Sequence, residues 1–383
     1  MFDLKGKLSR NLINIPGWRT NRRIVVIESD DWGSIRMPSR EVYESMLKAG
    51  IGVDKCPYNK YDSLASESDL DALFNVLVKF KDKNGNHPIL TANTVMANPD
   101  FQKIRESGFK EYHYELFTET FKKYPNHQNS FYLWGKGMEE KIFHPQFHGR
   151  EHVNVNLWMH LLHNKQKAFL KAFDYGFWGL GPSIVHVGAR RNIQASFDAS
   201  DQAEIEQHSL FIKDGLGLFH NLFGYKSQSF IANNFIWASE LNKTLKENEV
   251  TILQGMKYQL LPILSQTRRQ KIRHVLGELN DQKQTYLIRN CAFEPSQYPT
   301  FDNVNNCLKD ISTAFFWKKP AIISSHRLNY IGYINEKNLI MNLRDLEKLF
   351  VNILKEWPEV EFMTSDRLGE CISSDDQFSN RTF

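Results

Sequence analysis

Apolar and polar positions along the chain follow two alternating periods. Residues 23–28 form a short apolar run rich in β-branched side chains, which predicts a buried strand, and residues 87–94 predict a second strand. Between these two runs, residues 70–81 place apolar side chains at helical spacing. The order strand, helix, strand is typical of a parallel α/β unit.

The same alternation continues to the end of the chain. The sequence predicts further strands at residues 143–147, 229–232, 251–253, 320–324 and 361–364. It predicts further helices at residues 155–172, 203–212 and 339–354. Residues 100–129 and 257–297 are less regular and are interpreted as insertions. Since no linker rich in Pro, Gly or Ser interrupts this order, we expect a single domain over residues 1–383, built as a βα barrel or a related parallel sheet.

The composition is that of a soluble globular protein, with 41% hydrophobic and 24% charged residues. The net charge of +4 comes from 48 basic and 44 acidic residues, so nucleic acid is not an expected partner. The four cysteines form no CxxC pair, which argues against a cysteine zinc site and is typical of reduced thiols in the cytoplasm. They are Cys56, Cys291, Cys307 and Cys371.

The N-terminal 23 residues alternate apolar and basic side chains. They lack the apolar core and cleavage site of a secretory signal, so we expect a cytoplasmic protein. No run approaches the roughly 20 apolar residues of a membrane span, and no transmembrane segment is expected. The segment could pack on its own domain, which we favour, or lie on a membrane surface as an amphipathic helix. Its apolar side would be Phe2, Leu4, Leu8, Leu12 and Ile15, and its basic side Lys5, Lys7 and Arg10.

Two adjacent carboxylates follow the first predicted strand. Side chains at the C-terminal ends of parallel strands line the active site in such folds, and Asp30 and Asp31 occupy this position. Adjacent carboxylates repel each other unless a cation or a shared proton offsets the repulsion. A catalytic pair is one interpretation, and a solvated loop in which one aspartate caps a helix is the other.

Three histidines four positions apart, His144, His148 and His152, occupy the stretch FHPQFHGREHVNVNLW. Two imidazoles at i and i+4 on a helical turn can bind one divalent metal, and an aspartate can join them from another strand. Gly149 is unfavourable within a helix, so His148 and His152 are expected on a single turn at a strand exit. His144 lies inside the predicted strand, so we interpret it as a histidine that packs in the fold or supports the metal ligands without binding the metal itself. A surface pair is the alternative for His148 and His152.

A further histidine, His326, follows the predicted strand at residues 320–324. A single histidine at a strand end is usually held there by hydrogen bonds alone. Three sites on three strands, with Asp-Asp, His-x-x-x-His and His, are less probable by chance than any one of them, so the sequence favours a joint chemical site.

These residues resemble the polysaccharide deacetylase family, also called the NodB-like deacetylases, in a divergent subfamily. Ser29-Asp30-Asp31 is similar to the family's first motif, His148 to His152 to its second, and His326 to its last. Phe362-Met363-Thr364-Ser365 is similar to its closing strand, so the resemblance spans about residues 23–367. It implies a distorted (β/α)7 barrel with insertions.

The resemblance also implies the roles of the site residues. Asp31, His148 and His152 would hold one divalent metal, with zinc expected first and cobalt or nickel as alternatives. Asp30 would be the general base that takes a proton from water, and His326 the general acid that protonates the leaving amine.

The chain departs from the family's third and fourth motifs. The third contains an arginine and a proline that orient the base, whereas residues 224–234 offer Lys226 and no proline. No clear match to the fourth motif, with its aspartates and tryptophan, is found. The sequence therefore predicts the barrel and the metal site more firmly than the groups that orient the base.

Three further residues are candidates for substrate binding. Trp32 could pack on a sugar ring, and Arg150 could bind carboxylate or hydroxyl oxygens. A core position for Trp32 and an ion pair of Arg150 with Glu28 or Glu151 are the alternatives. Asn93 follows the second predicted strand.

The sequence favours a metal-dependent hydrolase that removes acetyl groups from an N- or O-acetylated sugar or polysaccharide precursor. Hydrolysis of a non-sugar carbon–nitrogen amide bond is an alternative, because the fold does not fix the substrate. A catalytically silent carbohydrate-binding or scaffolding protein is the alternative from another class. The retained acid and base favour the enzyme, and the oligomeric state stays open.

Overall fold

The computed structural model describes residues 2–185, 192–264 and 268–375. Within these ranges the α-helices are α1 (Phe2–Asn14), α2 (Arg40–Lys48), α3 (Pro57–Tyr61), α4 (Glu67–Leu77), α5 (Phe101–Glu106), α6 (Phe117–Lys123), α7 (Ser130–Glu139), α8 (Val155–His163), α9 (Lys167–Asp174), α10 (Gln202–Phe223), α11 (Leu241–Glu247), α12 (Asn303–Phe316), α13 (Glu336–Glu356) and α14 (Ser365–Ser373). Short 3-10 turns lie at Val53–Lys55, Asn233–Phe235 and Arg327–Tyr330.

The strands of the same ranges fall into one large sheet and two hairpins. They are β1 (Ile24–Trp32), β2 (Leu90–Thr94), β3 (Ala97–Pro99), β4 (Tyr114–Leu116), β5 (Phe143–Phe147), β6 (Ser229–Phe230), β7 (Ile252–Gly255), β8 (Tyr258–Leu260), β9 (Lys271–Arg273), β10 (Thr285–Ile288), β11 (Cys291–Ala292), β12 (Ala321–His326) and β13 (Glu361–Phe362). β3 pairs with β4 and β8 with β9, both antiparallel.

The large sheet is entirely parallel and curls round on itself. Its order is β10-β7-β6-β5-β2-β1-β12-β11, and β13 pairs with the start of β1. The two ends of this order belong to one stretch of chain. Strand β10 pairs with β7, whereas β11, which is separated from β10 by two residues, pairs with β12. The switch occurs where the Arg289 amide donates to the Gly255 carbonyl and the Asn290 amide to the Ile322 carbonyl. The sheet therefore forms a distorted barrel of seven positions, with residues 285–292 as its seam.

The apolar runs that predicted strands lie in the centre of the barrel. All nine residues of β1 are buried, which explains why its sequence reads as a continuous apolar run before the acidic end. Helices cover the sheet from outside, with α4 against α7 and α12 against α13. A second apolar cluster, which includes Met37, Trp158 and Trp178, comes mainly from residues 37–53 and 153–180, with Ile104, Ile193 and Ile334 added.

The predicted parallel α/β barrel is confirmed, and most predicted strands are found within a few residues of their expected bounds. The region 155–172 contains two helices, α8 and α9, instead of one. The prediction of residues 257–297 as an insertion was wrong for its second half, because β10 and β11 are barrel strands there. Whether residues 1–383 form a single domain stays a prediction.

The N-terminal helix α1 packs against α12 through polar side chains. The Arg10 guanidinium pairs with Asp310 at 2.6 Å, and the Trp317 indole donates to Asn11. Leu8 and Leu12 point outward and are 60% and 51% exposed, so peripheral membrane contact stays a prediction. The side chains of Phe2, Leu4, Lys5 and Lys7 lie outside the described residues. No described helix is long and apolar enough to span a membrane.

Candidate metal centre and active site

The acidic end of β1 departs from a regular strand. Side chains of a strand alternate between its two faces, so neighbouring aspartates would ordinarily point apart. Asp31 has φ +74°, and the pairing of β1 with β2 shifts register between Ser29 and Trp32. This local irregularity lets Asp30 and Asp31 both line one cavity. Aspartate is among the residues that tolerate a left-handed backbone.

A candidate metal site lies at this end of the barrel. One ligand atom each from Asp31, His148 and His152 lie within 4.8 Å of one another, and all three residues are buried. Asp31 Oδ1 is 2.9 Å from His152 Nε2 and 3.5 Å from His148 Nε2. A carboxylate with two imidazoles is a donor set that zinc and related divalent metals bind.

The two histidines lie on the loop that follows β5. The sequence predicted a helical turn here, but the loop is not helical. The His148 amide donates to the Thr94 carbonyl, so the loop runs on beside the end of β2. Gly149 between the histidines has φ +122°, a left-handed conformation that favours glycine. The imidazoles converge because of this bend and not because of helical periodicity.

The surroundings of the histidines suit metal ligation. His148 Nδ1 is 2.8 Å from the Ile231 carbonyl, which fixes the proton on Nδ1 and turns the Nε2 lone pair toward the site. Asn233 Nδ2 lies 2.9 Å from the same Nε2, and Asn233 in turn accepts a hydrogen bond from Ser196. Burial lowers the pKa of His152 to about 4 against the attraction of Asp31, so this imidazole is neutral at pH 7. Neutral imidazole is the form that binds a metal.

Asp30 is held by an arginine and an amide. Arg289 donates to both of its oxygens at 2.8 and 2.6 Å, and Asn93 Nδ2 donates to Oδ1 at 2.8 Å. Burial alone would raise the pKa of Asp30, but the charge and hydrogen bonds of Arg289 outweigh it and lower the pKa to about 2. Asp30 is therefore a carboxylate with a fixed orientation.

The side chain of Arg289 is itself held in place by a buried carboxylate. Its Nε donates to Glu28 at 2.6 Å, and Glu28 also accepts from the Ser365 hydroxyl at 2.8 Å. The second amide hydrogen of Asn93 goes to Gln254 Oε1, also at 2.8 Å. The groups that bind Asp30 are thus held in turn, Arg289 by Glu28 of β1 and Asn93 by Gln254 of β7, and this removes rotational freedom from the carboxylate.

His326 faces Asp30 from the neighbouring strand. The two residues are direct partners in the β1–β12 register, and His326 Nε2 is 3.7 Å from Asp30 Oδ2. His326 Nδ1 is 2.5 Å from Glu294, whose other oxygen accepts from Asn329 at 2.7 Å. Burial would lower the pKa of His326, but the Glu294 carboxylate outweighs it and raises the pKa to about 9. His326 is therefore protonated at neutral pH.

A cavity of about 450 Å³ joins these groups. It is large enough for a sugar-sized ligand, since ligand cavities in proteins typically measure about 300–1,000 Å³. Tyr58 lies beside His326, with ring centroids 5.3 Å apart, and Tyr298 lies farther out at the wall. The candidate metal ligands, the Asp30 carboxylate and the His326 imidazolium thus line one cavity.

Two of the residues predicted to bind substrate lie elsewhere. Trp32 is fully buried among Trp134 and Phe143, and its indole donates to Ser29, so it is a core residue and not a sugar contact. Arg150 forms two hydrogen bonds with Glu151, which leaves it outside the cavity wall. Both side chains follow the structural alternative that the sequence left open.

The structure also separates Asn93, His144 and Lys226 by role. Asn93 is near the site but binds Asp30 and Gln254, so it positions the carboxylate. His144 points to the other end of β5, where it lies 3.4 Å from Asp366, and is not beside the three candidate metal ligands. Lys226 is exposed and pairs with Glu249, and the arginine that binds Asp30 is Arg289.

Four further residues of the site were not predicted from the sequence, namely Arg36, Asn233, Arg289 and Glu294. Arg289 directly follows the apolar run Thr285–Ile288, so the same rule that selected Asp30 and His326 would have selected it. Glu294 follows β11 by two residues in the same way. Both were hidden because residues 257–297 were interpreted as an insertion.

No protein-family model and no curated protein sequence matches the chain. Solved structures with a similar fold include a candidate polysaccharide deacetylase from Mycobacterium smegmatis, with 9% identity over 96% of both chains and a TM-score of 0.47. A probable polysaccharide deacetylase from Pseudomonas aeruginosa PAO1 has 10% identity over 93% of both chains and a TM-score of 0.45. PuuE allantoinase has 11% identity over 94% of this chain and 95% of its own, with a TM-score of 0.45. These similarities concern the fold, and the site is interpreted from its own geometry.

Proposed function

We propose that the protein is a metal-dependent hydrolase that removes acetyl groups from an N- or O-acetylated sugar or polysaccharide precursor. The observation that carries the proposal is the pairing of Asp30 and His326 beside a candidate metal site. The pKa of Asp30 is lowered to about 2 and that of His326 is raised to about 9, and the two side chains, 3.7 Å apart, each contribute to the shift of the other. Oppositely tuned titratable neighbours are the usual mark of a base and an acid.

The roles of the chain's own residues follow from these contacts. A divalent metal held by Asp31, His148 and His152 would supply a Lewis acid for the acyl group and its attacking water. Asp30 is ionised and accepts the proton of that water, while Arg289 and Asn93 hold its orientation. His326 carries a proton at neutral pH and donates it to the leaving nitrogen or oxygen. Acetate and a free amino or hydroxyl group result.

We place the reaction in the cytoplasm, where unpaired cysteines such as the four of this chain are stable. This location favours a nucleotide-linked or lipid-linked sugar over a finished polymer. The proposal on location does not affect the chemistry of the site.

The first test is the metal content of protein purified without chelator. We expect about one metal per chain in the wild type and none in a His148→Ala, His152→Ala double variant. His144→Ala is the matched control, because His144 continues the same spacing but points to the other end of the strand, and it should keep the metal. Absence of metal from the wild type, even after incubation with zinc or cobalt, would favour the silent carbohydrate-binding protein.

The second test is acetate release from a panel of N- and O-acetylated sugars. Asp30→Asn should keep the metal and lose activity, since Asp30 is not one of the three candidate ligands. A protein that binds metal but releases no acetate from any sugar would direct attention to non-sugar amides.

A further inference from the structure

Arg36 is a buried cation with hydrogen-bond donors left over. The residue is 2% exposed, and neither Nε nor Nη1 has a hydrogen-bond partner among the described residues. Donors buried without acceptors cost free energy, more so on a charged group. Arg289, which is equally buried beside the same cavity, donates from all three of its nitrogens. Arg36 therefore differs from Arg289 in having donors available for a ligand.

The carboxylates near Arg36 do not use these donors. Arg36 Nη2 is 3.6 Å from Asp31 Oδ2, and its Nε is 3.9 Å from Asp62 Oδ2, both beyond hydrogen-bond length. Asp62 already accepts two hydrogen bonds from Arg327 at 3.0 Å. Asp31 is turned toward His148 and His152. The two aspartates thus attract the charge of Arg36 but accept no hydrogen bond from it.

Two aromatic rings fix the plane of the Arg36 guanidinium. Its central carbon lies 5.2 Å from the Tyr58 ring centroid and 5.1 Å from that of Trp178. Such stacking occupies the faces of a guanidinium and leaves its N–H edge for hydrogen bonds. Nε and Nη1 are buried beneath the cavity surface, so Nη2 of Arg36, a residue that lines the cavity, is the donor that a substrate would meet.

The charge balance of the cavity points the same way. Its wall carries equal numbers of carboxylates and cations, counting protonated His326: Asp30, Asp31, Glu294 and Asp310 against Arg10, Arg36, Arg289 and His326. Behind the wall, Asp62 pairs with Arg327, and Glu28 adds one negative charge. A divalent metal would more than cancel that charge, so the loaded site would have a positive excess beside Arg36.

We propose that the substrate carries an anionic group, a carboxylate or a phosphate, on the same sugar as the acetyl group, and that Arg36 binds it. The Nη2 donor of a guanidinium held between two rings can bind an oxygen of either group. Asp31 is at once a candidate metal ligand and the neighbour of Arg36, so the anion lies within one sugar ring of the acyl group. This inference rests on the proposed deacetylase function and specifies the substrate class.

The test compares three sugars that differ only at carbon 6. They are neutral N-acetylglucosamine, 2-acetamido-2-deoxyglucuronate and N-acetylglucosamine 6-phosphate, each titrated calorimetrically into zinc-loaded protein. We expect the wild type to bind at least one anionic sugar about tenfold or more tightly than the neutral one. The tighter of the two tells a carboxylate from a phosphate.

Arg36→Gln should lose this preference, measured in zinc-loaded protein as the ratio of the affinities for the anionic and the neutral sugar. Arg36→Lys, which keeps the charge but not the planar edge, should retain part of it. Arg40→Gln removes the same charge from an exposed position that pairs only with Glu44, and it should behave as the wild type. If the Arg36 variants do not fold, the comparison of the three sugars on the wild type still tests the anionic substrate class, and equal binding of the three overturns the proposal.

Failure of this inference differs from failure of the proposed function. Equal binding of the three sugars, or no binding of either anionic one, would overturn the role of Arg36, as would a preference that Arg36→Gln retains. Acetate release from neutral sugars alone would overturn the inference and leave deacetylation standing. A preference that depends on Arg36, without acetate release from any sugar, would uphold anion binding and refute deacetylation.

Discussion

The charge of Glu294 sets the protonation of His326, and Glu294→Gln tests this directly. Glutamine has the size of glutamate and can still accept a hydrogen bond from His326 Nδ1, so the change removes mainly charge. Burial lowers the pKa of His326, and the attraction of Glu294 is the largest contribution that raises it from 6.5 to about 9. Without that attraction we expect a pKa near 6.5 or below.

The size of the effect depends on pH. With a pKa of about 9, roughly 90% of His326 is protonated at pH 8, against roughly 3% with a pKa of about 6.5. A reaction that needs the imidazolium should therefore slow about thirtyfold at pH 8 and less than twofold at pH 6. The activity of the wild type should fall only as the pH rises through about 9, and that of the variant from about 6.5 upward.

The assay is an NMR titration of histidine labelled at the ring carbons, with the His326 signal assigned by its loss in His326→Gln. It reports the pKa without any substrate, and acetate release at pH 6 and pH 8 then checks the effect on rate. Glu278→Gln is the control. Glu278 lies 3.1 Å from His274 Nδ1, and neither residue lines the cavity. If His326 still titrates near pH 9 in Glu294→Gln, the assignment of the raised pKa to Glu294 is wrong.

Two further changes test other parts of the site. Arg289→Met should raise the pKa of Asp30 and lower the free energy of unfolding by about 3–5 kcal/mol, because Asp30 and Glu28 would stay buried without their cation. Urea unfolding measures the free energy of unfolding, and a loss under about 1 kcal/mol would contradict this prediction. Trp32→Ala should lower the free energy of unfolding by about 3–5 kcal/mol and leave the zinc content unchanged, because Trp32 packs in the core. Loss of zinc from the folded Trp32→Ala variant would instead show that Trp32 supports the metal site directly.

The sequence was most informative where one physical rule applied cleanly. Buried parallel strands appear as apolar runs, and polar residues directly after such runs meet at one end of the barrel. This rule selected Asp30, Asp31 and His326, and the structure brings all three to one cavity. His148 and His152 were found by spacing, although the bend at Gly149 and not a helix makes them converge.

The remaining site residues depend on contacts that a local pattern does not contain. Trp32 follows the same acidic strand end as Asp31, yet the irregular backbone there sends it into the core. Arg36 owes its position to rings and carboxylates far apart in the sequence. Such pairings are set by tertiary packing, which sequence periodicity does not encode.

The seam of the barrel links the integrity of the fold to the chemistry of the site. Residues 285–292 join β7 to β12, and Arg289, which holds Asp30, lies at the crossing. The next residue, Asn290, ties the seam to Asn14 of helix α1 and to the Pro320 carbonyl. An open ring would leave Asp30 beside Glu28 without their shared cation, so the low pKa of Asp30 exists only after the last strands have met. The closed barrel and the fixed orientation of Asp30 therefore depend on the same residue, Arg289.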